Sequence, residues 1–141
     1  MRKVFSISQD NFKTVLLVSD HQVDIRRIEK QFMDTGSMDC RLYRCTTIAA
    51  ALEQLGRKNL TIDIIILDLR LDDPAATGSH YQTIKTDAGD IPIIVLTGDS
   101  EEERRLAEPI IASGAADHIY KDNFGSLVWT IGNLLFSKTG G

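Results

Sequence analysis

Three short apolar runs and a fourth short segment in this chain each end in a polar residue able to do chemistry. Ile64-Ile65-Ile66-Leu67 runs into Asp68, and Leu16-Leu17-Val18-Ser19 into Asp20. Ile93-Ile94-Val95-Leu96 runs into Thr97, and His118-Ile119-Tyr120 into Lys121. An ionised carboxylate at the end of a buried run gains nothing from the core, so Asp68 is the position most in need of a function. Two carboxylates held close repel each other, and at neutral pH the usual remedies are a shared proton or a bound cation. Oxygen donors in a small site suit Mg2+, which keeps several waters and binds through one or two carboxylates plus a phosphate. A lysine and a threonine hydroxyl alongside are donors for phosphoryl oxygens, where positioning and charge neutralisation supply most of the catalysis. Brought together, these residue types imply phosphoryl transfer. Taken singly, each has a plainer role: Asp20 is a good N-cap for the segment after it, and Thr97 and Lys121 are weak signals whose value is joint.

The four positions meet only if their runs are neighbouring strands. Short apolar runs alternate with segments whose apolar residues recur at three and four, the pattern of a parallel sheet covered by helices on both faces. Strands are predicted at Thr14–Ser19, Leu42–Cys45, Ile62–Leu67, Pro92–Leu96 and Ala116–Tyr120. The first helix, Gln22–Thr35, is expected to bury Val23, Ile25, Ile28 and Phe32 and to stop at Gly36. The second starts at Thr46 or Thr47, carries Ile48, Leu52 and Leu55, and stops at Gly56. A loop with Asp72, Asp73, Pro74 and Gly78 precedes an indistinct helix near Ser79–Thr86. Ser100 and Glu103 form a capping box for the fourth helix, which ends at Gly114; Pro109 inside it predicts a kink or irregular turn around Arg105–Pro109. Leu127, Val128, Ile131, Leu134 and Leu135 line the last helix. In an open parallel sheet, ligands bind outside the carboxyl ends of the strands, where all four polar residues fall.

These residues carry a resemblance. Leu17-Val18-Ser19-Asp20, Ile66-Leu67-Asp68-Leu69, Leu96-Thr97-Gly98 and Tyr120-Lys121 resemble the four signature sites of response-regulator receiver domains, over about Lys13 to Ser137. The resemblance implies an α/β fold, a flavodoxin-like three-layer sandwich with a five-stranded parallel sheet. It also implies a two-component signalling switch in which Asp68 accepts a phosphoryl group from a sensor histidine kinase or phosphotransfer protein. Asp20, Asp68 and the backbone carbonyl of Arg70 would bind Mg2+, Thr97 would bond the phosphoryl group in the active state, and Lys121 would pair with Asp68 or its phosphate. His118 falls where the family places a side chain that rotates inward on activation. A surface built from the fourth helix, fifth strand and fifth helix would be read by a downstream output domain or protein, and a weak homodimer is compatible with it. The chain departs from the family at Ser19, where a second acid is usual, and at Asp122, where proline is frequent. The stretches from Asp68 to Gly78 and from Thr97 to Gly114-Ala115 are slightly long.

The remaining features narrow the field. The 141 residues fit one domain, read as a leader over 1–12, a folded unit over 13–137 and a tail over 138–141. A net charge of -4 with scattered Lys and Arg argues against nucleic acid as a direct partner. No apolar run approaches the ~18 residues of a membrane span, and Met1 to Lys13 holds no signal-peptide core, so the expected location is cytoplasmic. Cys40 and Cys45 would point to opposite faces of one strand, as buried inert thiols rather than a disulfide or metal pair. His21 and His80 have no metal-ligand spacing and are expected at the surface or in loops; Trp129 is expected to be a partly exposed packing residue. The implied protein phosphorylates and dephosphorylates itself rather than turning over a substrate. Two rivals stand beside it. An aspartyl-phosphate phosphohydrolase would want a second Asp two residues after the nucleophile, where this chain has Arg70. A receiver-like interaction module that is not phosphorylated has Ser19 as its argument. A flavodoxin-type cofactor carrier is disfavoured, since no Ser/Thr/Gly-rich loop follows the first strand and no Gly-rich nucleotide fingerprint occurs.

Overall fold

The computed structural model describes residues 13–35, 40–70 and 77–135. The leader over 1–12, Gly36, the loop residues Asp72, Asp73 and Pro74, and the tail lie outside them. Five parallel strands, β1 (Lys13–Val18), β2 (Cys40–Cys45), β3 (Ile64–Asp68), β4 (Ile93–Thr97) and β5 (Asp117–Tyr120), lie in the order β2-β1-β3-β4-β5. The strands ending near Asp20, Asp68, Thr97 and Lys121 are therefore consecutive, as the sequence reading required. Every residue of β3 and β4 is buried, which explains their unbroken apolar runs; β2 and β5 are the half-buried edges.

Alternate residues divide between two cores, following the period of two of a strand. Leu16, Val18, Ile65, Leu67, Ile93 and Val95 pack with α2 (Ile48–Leu55), α3 (Thr77–Ala88) and α4 (Glu101–Ala112). Val15, Leu17, Ile64, Ile66, Ile94 and Leu96 pack with α1 (Gln22–Thr35) and α5 (Leu127–Leu135). Cys40 joins the second core and Cys45 the first, both as free thiols on opposite faces, and burial raises the pKa of the Cys45 thiol.

Several expectations need correction. Val23 is 65% exposed rather than buried. It lies two residues before Ile25, about 200° around a helix of 3.6 residues per turn, and so points away from the stripe that Ile25, Ile28 and Phe32 form. The irregular turn expected around Arg105–Pro109 is absent, and α4 runs unbroken from Glu101 to Ala112. Pro109 stands exposed in the last turn, where solvent can take up the carbonyl that loses its donor. The third helix is longer than the faint pattern implied; among the residues whose burial is described, Tyr81, Ile84 and Ala88 form its buried face. Trp129 is 72% exposed and does little packing. The sequence reading did not include the 3-10 segment over Lys121–Ser126, which is broken by a kink at Asn123 and buries Phe124.

Candidate functional site at the carboxyl ends of the strands

Parallel register brings the strand ends level. Val18 pairs with Leu67, Asp68 with Leu96, and Thr97 with Tyr120, so the residues just beyond each strand share one end of the sheet. Ser19 is fixed there because its N–H continues the ladder to the Cys45 carbonyl at 2.9 Å. Asp68 closes β3 with no solvent exposure, yet its oxygens are satisfied. Oδ1 accepts the Arg70 N–H at 2.9 Å, and Oδ2 accepts the Ser19 hydroxyl at 2.9 Å and the Lys121 ammonium at 2.9 Å. Lys121 also reaches Asp24 Oδ2 at 3.0 Å. Burial pushes the Lys121 ammonium down in pKa, but Asp68 and Asp24 outweigh it and hold the group above its ordinary value.

The start of α1 and the residue before it add two residues to which the sequence reading gave no role in the site. His21 was expected to be an uninvolved surface histidine; instead its Nε2 lies 2.8 Å from the Arg70 carbonyl oxygen and 3.3 Å from Asp20 Oδ1. Its Nδ1 is 3.9 Å from Asp24 Oδ2, and its backbone N–H donates to Ser19 Oγ at 3.2 Å. Donor atoms of His21, Asp24 and Asp68 all lie within 4.8 Å of one another, a group able to hold a cation.

The far side of the site is built differently. Thr97 Oγ1 lies 2.6 Å from His118 Nε2. Burial lowers the His118 imidazole below the ordinary histidine pKa, with Asp117 partly opposing, and the ring meets the Tyr120 ring edge-on at 4.6 Å. Beside them Glu103, only 9% exposed, does more than complete the expected capping box. Its Oε1 accepts the Ser100 hydroxyl at 2.9 Å, and Ser100 Oγ accepts the Glu103 N–H at 3.1 Å. Its Oε2 accepts the Gly98 N–H at 2.8 Å, and the Arg70 guanidinium stands 3.6 Å from Oε1. A Cβ on residue 98 would lie 2.5 Å from that carboxylate, so any larger residue there would have to displace the Glu103 side chain from this position.

Known proteins share this fold. The sequence model of the response regulator receiver domain family matches residues 15–130. A response regulator from Hahella chejuensis is 25% identical and superposes with a TM-score of 0.69 over 88% of this chain and 96% of its own. A receiver domain protein from Clostridium thermocellum, 18% identical, gives 0.72 over 90% and 97%. The phosphorylated cyanobacterial phytochrome response regulator RcpA, 21% identical, gives 0.68 over 90% and 96%. Among curated proteins, none matches the chain. Among the described residues no helix is long and apolar enough to cross a membrane.

Proposed function

The chain belongs to the response regulator receiver family, signalling modules with this flavodoxin-like fold, and from that premise we propose that Asp68 is its phosphoacceptor, charged by a sensor histidine kinase or phosphotransfer protein. The observation that carries the reading is the Asp68 carboxylate at the end of the central strand, met by Ser19 Oγ, Arg70 N and Lys121 Nζ at 2.9 Å each. Attack by a carboxylate oxygen forms an O–P bond while the donor's N–P bond breaks, and the departing imidazole takes up a proton. Lys121 and the Arg70 N–H would then balance the charge spread over the phosphoryl oxygens.

The carboxylates of Asp20 and Asp68 and the carbonyl of Arg70 are oxygen donors of the kind Mg2+ takes, and these residues would hold it. Bound there, the ion would neutralise phosphoryl charge during transfer. Ser19 does not undo the site, since its hydroxyl donates to Asp68 where a second acid would repel it, and Asp24 returns a carboxylate from one turn along α1. Thr97 would exchange its His118 partner for a phosphoryl oxygen, releasing the imidazole and shifting α4, β5 and α5 between two populations read by an output domain or protein. Such a module catalyses its own phosphorylation and slow hydrolysis, and acts in the cytoplasm.

Incubation with acetyl phosphate and Mg2+ tests this by intact mass. The wild type gains one phosphoryl group and Asp68→Asn gains none. Absence of any gain in the wild type leaves a receiver-like interaction module in its place.

A further inference from the structure

We propose that His21 supplies an imidazole nitrogen to the divalent cation at this site, so that the site takes a transition-metal ion such as Mn2+ in preference to Mg2+. The inference rests on the receiver reading of the site and adds to it a residue and a metal preference. Two ligands at right angles on an ion about 2.1 Å from each stand about 3 Å apart. His21 Nε2 lies 2.8 Å from the Arg70 carbonyl oxygen, to which its N–H donates, and 3.3 Å from Asp20 Oδ1; a cation would take the place of that proton, which moves to Nδ1, and Nε2 would then stand at ligand spacing from two of the three expected oxygen donors. The same ring is within 4.8 Å of carboxylate oxygens of Asp68 and Asp24. No rearrangement of the backbone is called for, because the His21 N–H is tied to Ser19 Oγ at 3.2 Å and the ring is partly exposed, with 39% of the side chain in solvent.

Donor chemistry sets the preference. Mg2+ takes oxygen and dehydrates reluctantly, whereas an imidazole nitrogen strengthens binding of first-row transition metals, in the order Mn2+, Co2+, Ni2+. Ser19 acts in the same direction: it offers a neutral hydroxyl where a carboxylate would give a hard cation more charge, and an imidazole follows two residues later. Asp24, with Oδ2 3.9 Å from His21 Nδ1, stands where a carboxylate can orient the ring through its other nitrogen.

The test is pulsed EPR of Mn2+ bound to the 15N-labelled chain, with titration of Mn2+ against Mg2+. The expected result is a hyperfine coupling to imidazole nitrogen that disappears in His21→Asn, together with a fall in the Mn2+ over Mg2+ preference of at least about tenfold, the lower end of what loss of even a supporting partner costs a metal site. Coupling absent from the Mn2+-bound wild type, a preference unchanged in His21→Asn, or no Mn2+ binding at all overturns the assignment. His80 and His118 are retained in the variant, so persistence of the coupling there also assigns it elsewhere. Acetyl phosphate labelling of the wild type separates the two readings. Phosphoryl uptake without nitrogen coupling removes His21 alone, and nitrogen coupling without uptake removes the receiver function alone.

Discussion

On the α1 side of the site, Asp68 receives three donors at 2.9 Å and Lys121 spans two carboxylates, at 2.9 and 3.0 Å. On the α4 side, Thr97 meets one imidazole at 2.6 Å, and the Gly98 N–H meets one carboxylate at 2.8 Å. The first half is a charge network in which each member holds several others, so moving one leaves a buried charge exposed to cost. In the second, the hydroxyl–imidazole contact of Thr97 is worth about 1 kcal/mol net and can be exchanged without unbalancing charge, and only the Gly98 N–H is held by a charged group. The proposed switch would need both: a fixed half to hold the Asp68 carboxylate, and a half whose partners could be traded on arrival of a phosphoryl group. Asp68 has no exposed surface, so the trade must also include movement of a covering group before a donor can reach it.

The comparison predicts its largest effect at Lys121. Lys121→Met leaves the Asp68 carboxylate with two neutral donors and Asp24 without its cation, and breaking one partner of a buried ion pair costs about 3–5 kcal/mol. Lys121 and Asp24 each keep 15% of the side chain in solvent, so the lower end, about 3 kcal/mol, is expected in urea unfolding. A loss under about 1 kcal/mol, typical of a surface pair, would erase the contrast between the two halves.

A middle-sized effect is expected at Glu103. Glu103→Ala removes a nearly buried carboxylate that accepts from Gly98 N and Ser100 Oγ, and a hydrogen bond to a charged group is worth about 1.5–3 kcal/mol, so a loss of about 2 kcal/mol follows. The pair has a sharper signature. Gly98→Ala in the wild type drives a Cβ to 2.5 Å from Glu103 Oε1 and overpacks, at about 1–3 kcal/mol, but in the Glu103→Ala background the methyl has room. Additive losses in the double variant would show that the Gly98 contact is not what restrains residue 98.

The fold was largely legible because its signals are redundant. Ile64 to Leu67 and Ile93 to Leu96 are apolar at every position, which only strands buried on both faces require, and the caps at Thr47 and Ser100 are chemical marks of helix starts. The strand-end residues were legible for a related reason: Asp68 and Thr97 close unbroken apolar runs, and Lys121 follows the short strand segment His118-Ile119-Tyr120. His21 and Asp24 were not, because they follow the run and sit in a polar first turn where charge is ordinary; only the meeting of α1 with the Arg70 carbonyl gives His21 a partner. Glu103 was read as a cap and is one, but its bond to Gly98 depends on the path of the loop before α4, which no periodicity encodes. Val23 was misplaced because an apolar residue at a helix start was counted toward the core without regard to its angle.

The smallest effect belongs to His118 and tests whether the exchangeable half is also the titratable one. Burial sets the folded imidazole below the ordinary value of 6.5, Asp117 opposes this, and Tyr120, under the Arg104 guanidinium at 5.6 Å, adds only a ring edge. The unfolded chain then takes up the His118 proton at a higher pH than the folded chain does. Between the lowered folded value and 6.5 the unfolded state binds more protons, so stability from this group is complete above 6.5 and is lost as the pH falls through the folded value. Protonation also turns Nε2 into an obligate donor, leaving Thr97 Oγ1 only the acceptor role in that contact. Urea midpoints of the wild type and His118→Gln should therefore converge as the pH is lowered through that window and separate above it, while His21 and His80, common to both proteins, cancel from the difference. Parallel curves across the window would mean the imidazole titrates as it does in the unfolded chain, and the contact with Thr97 would then be insensitive to charge.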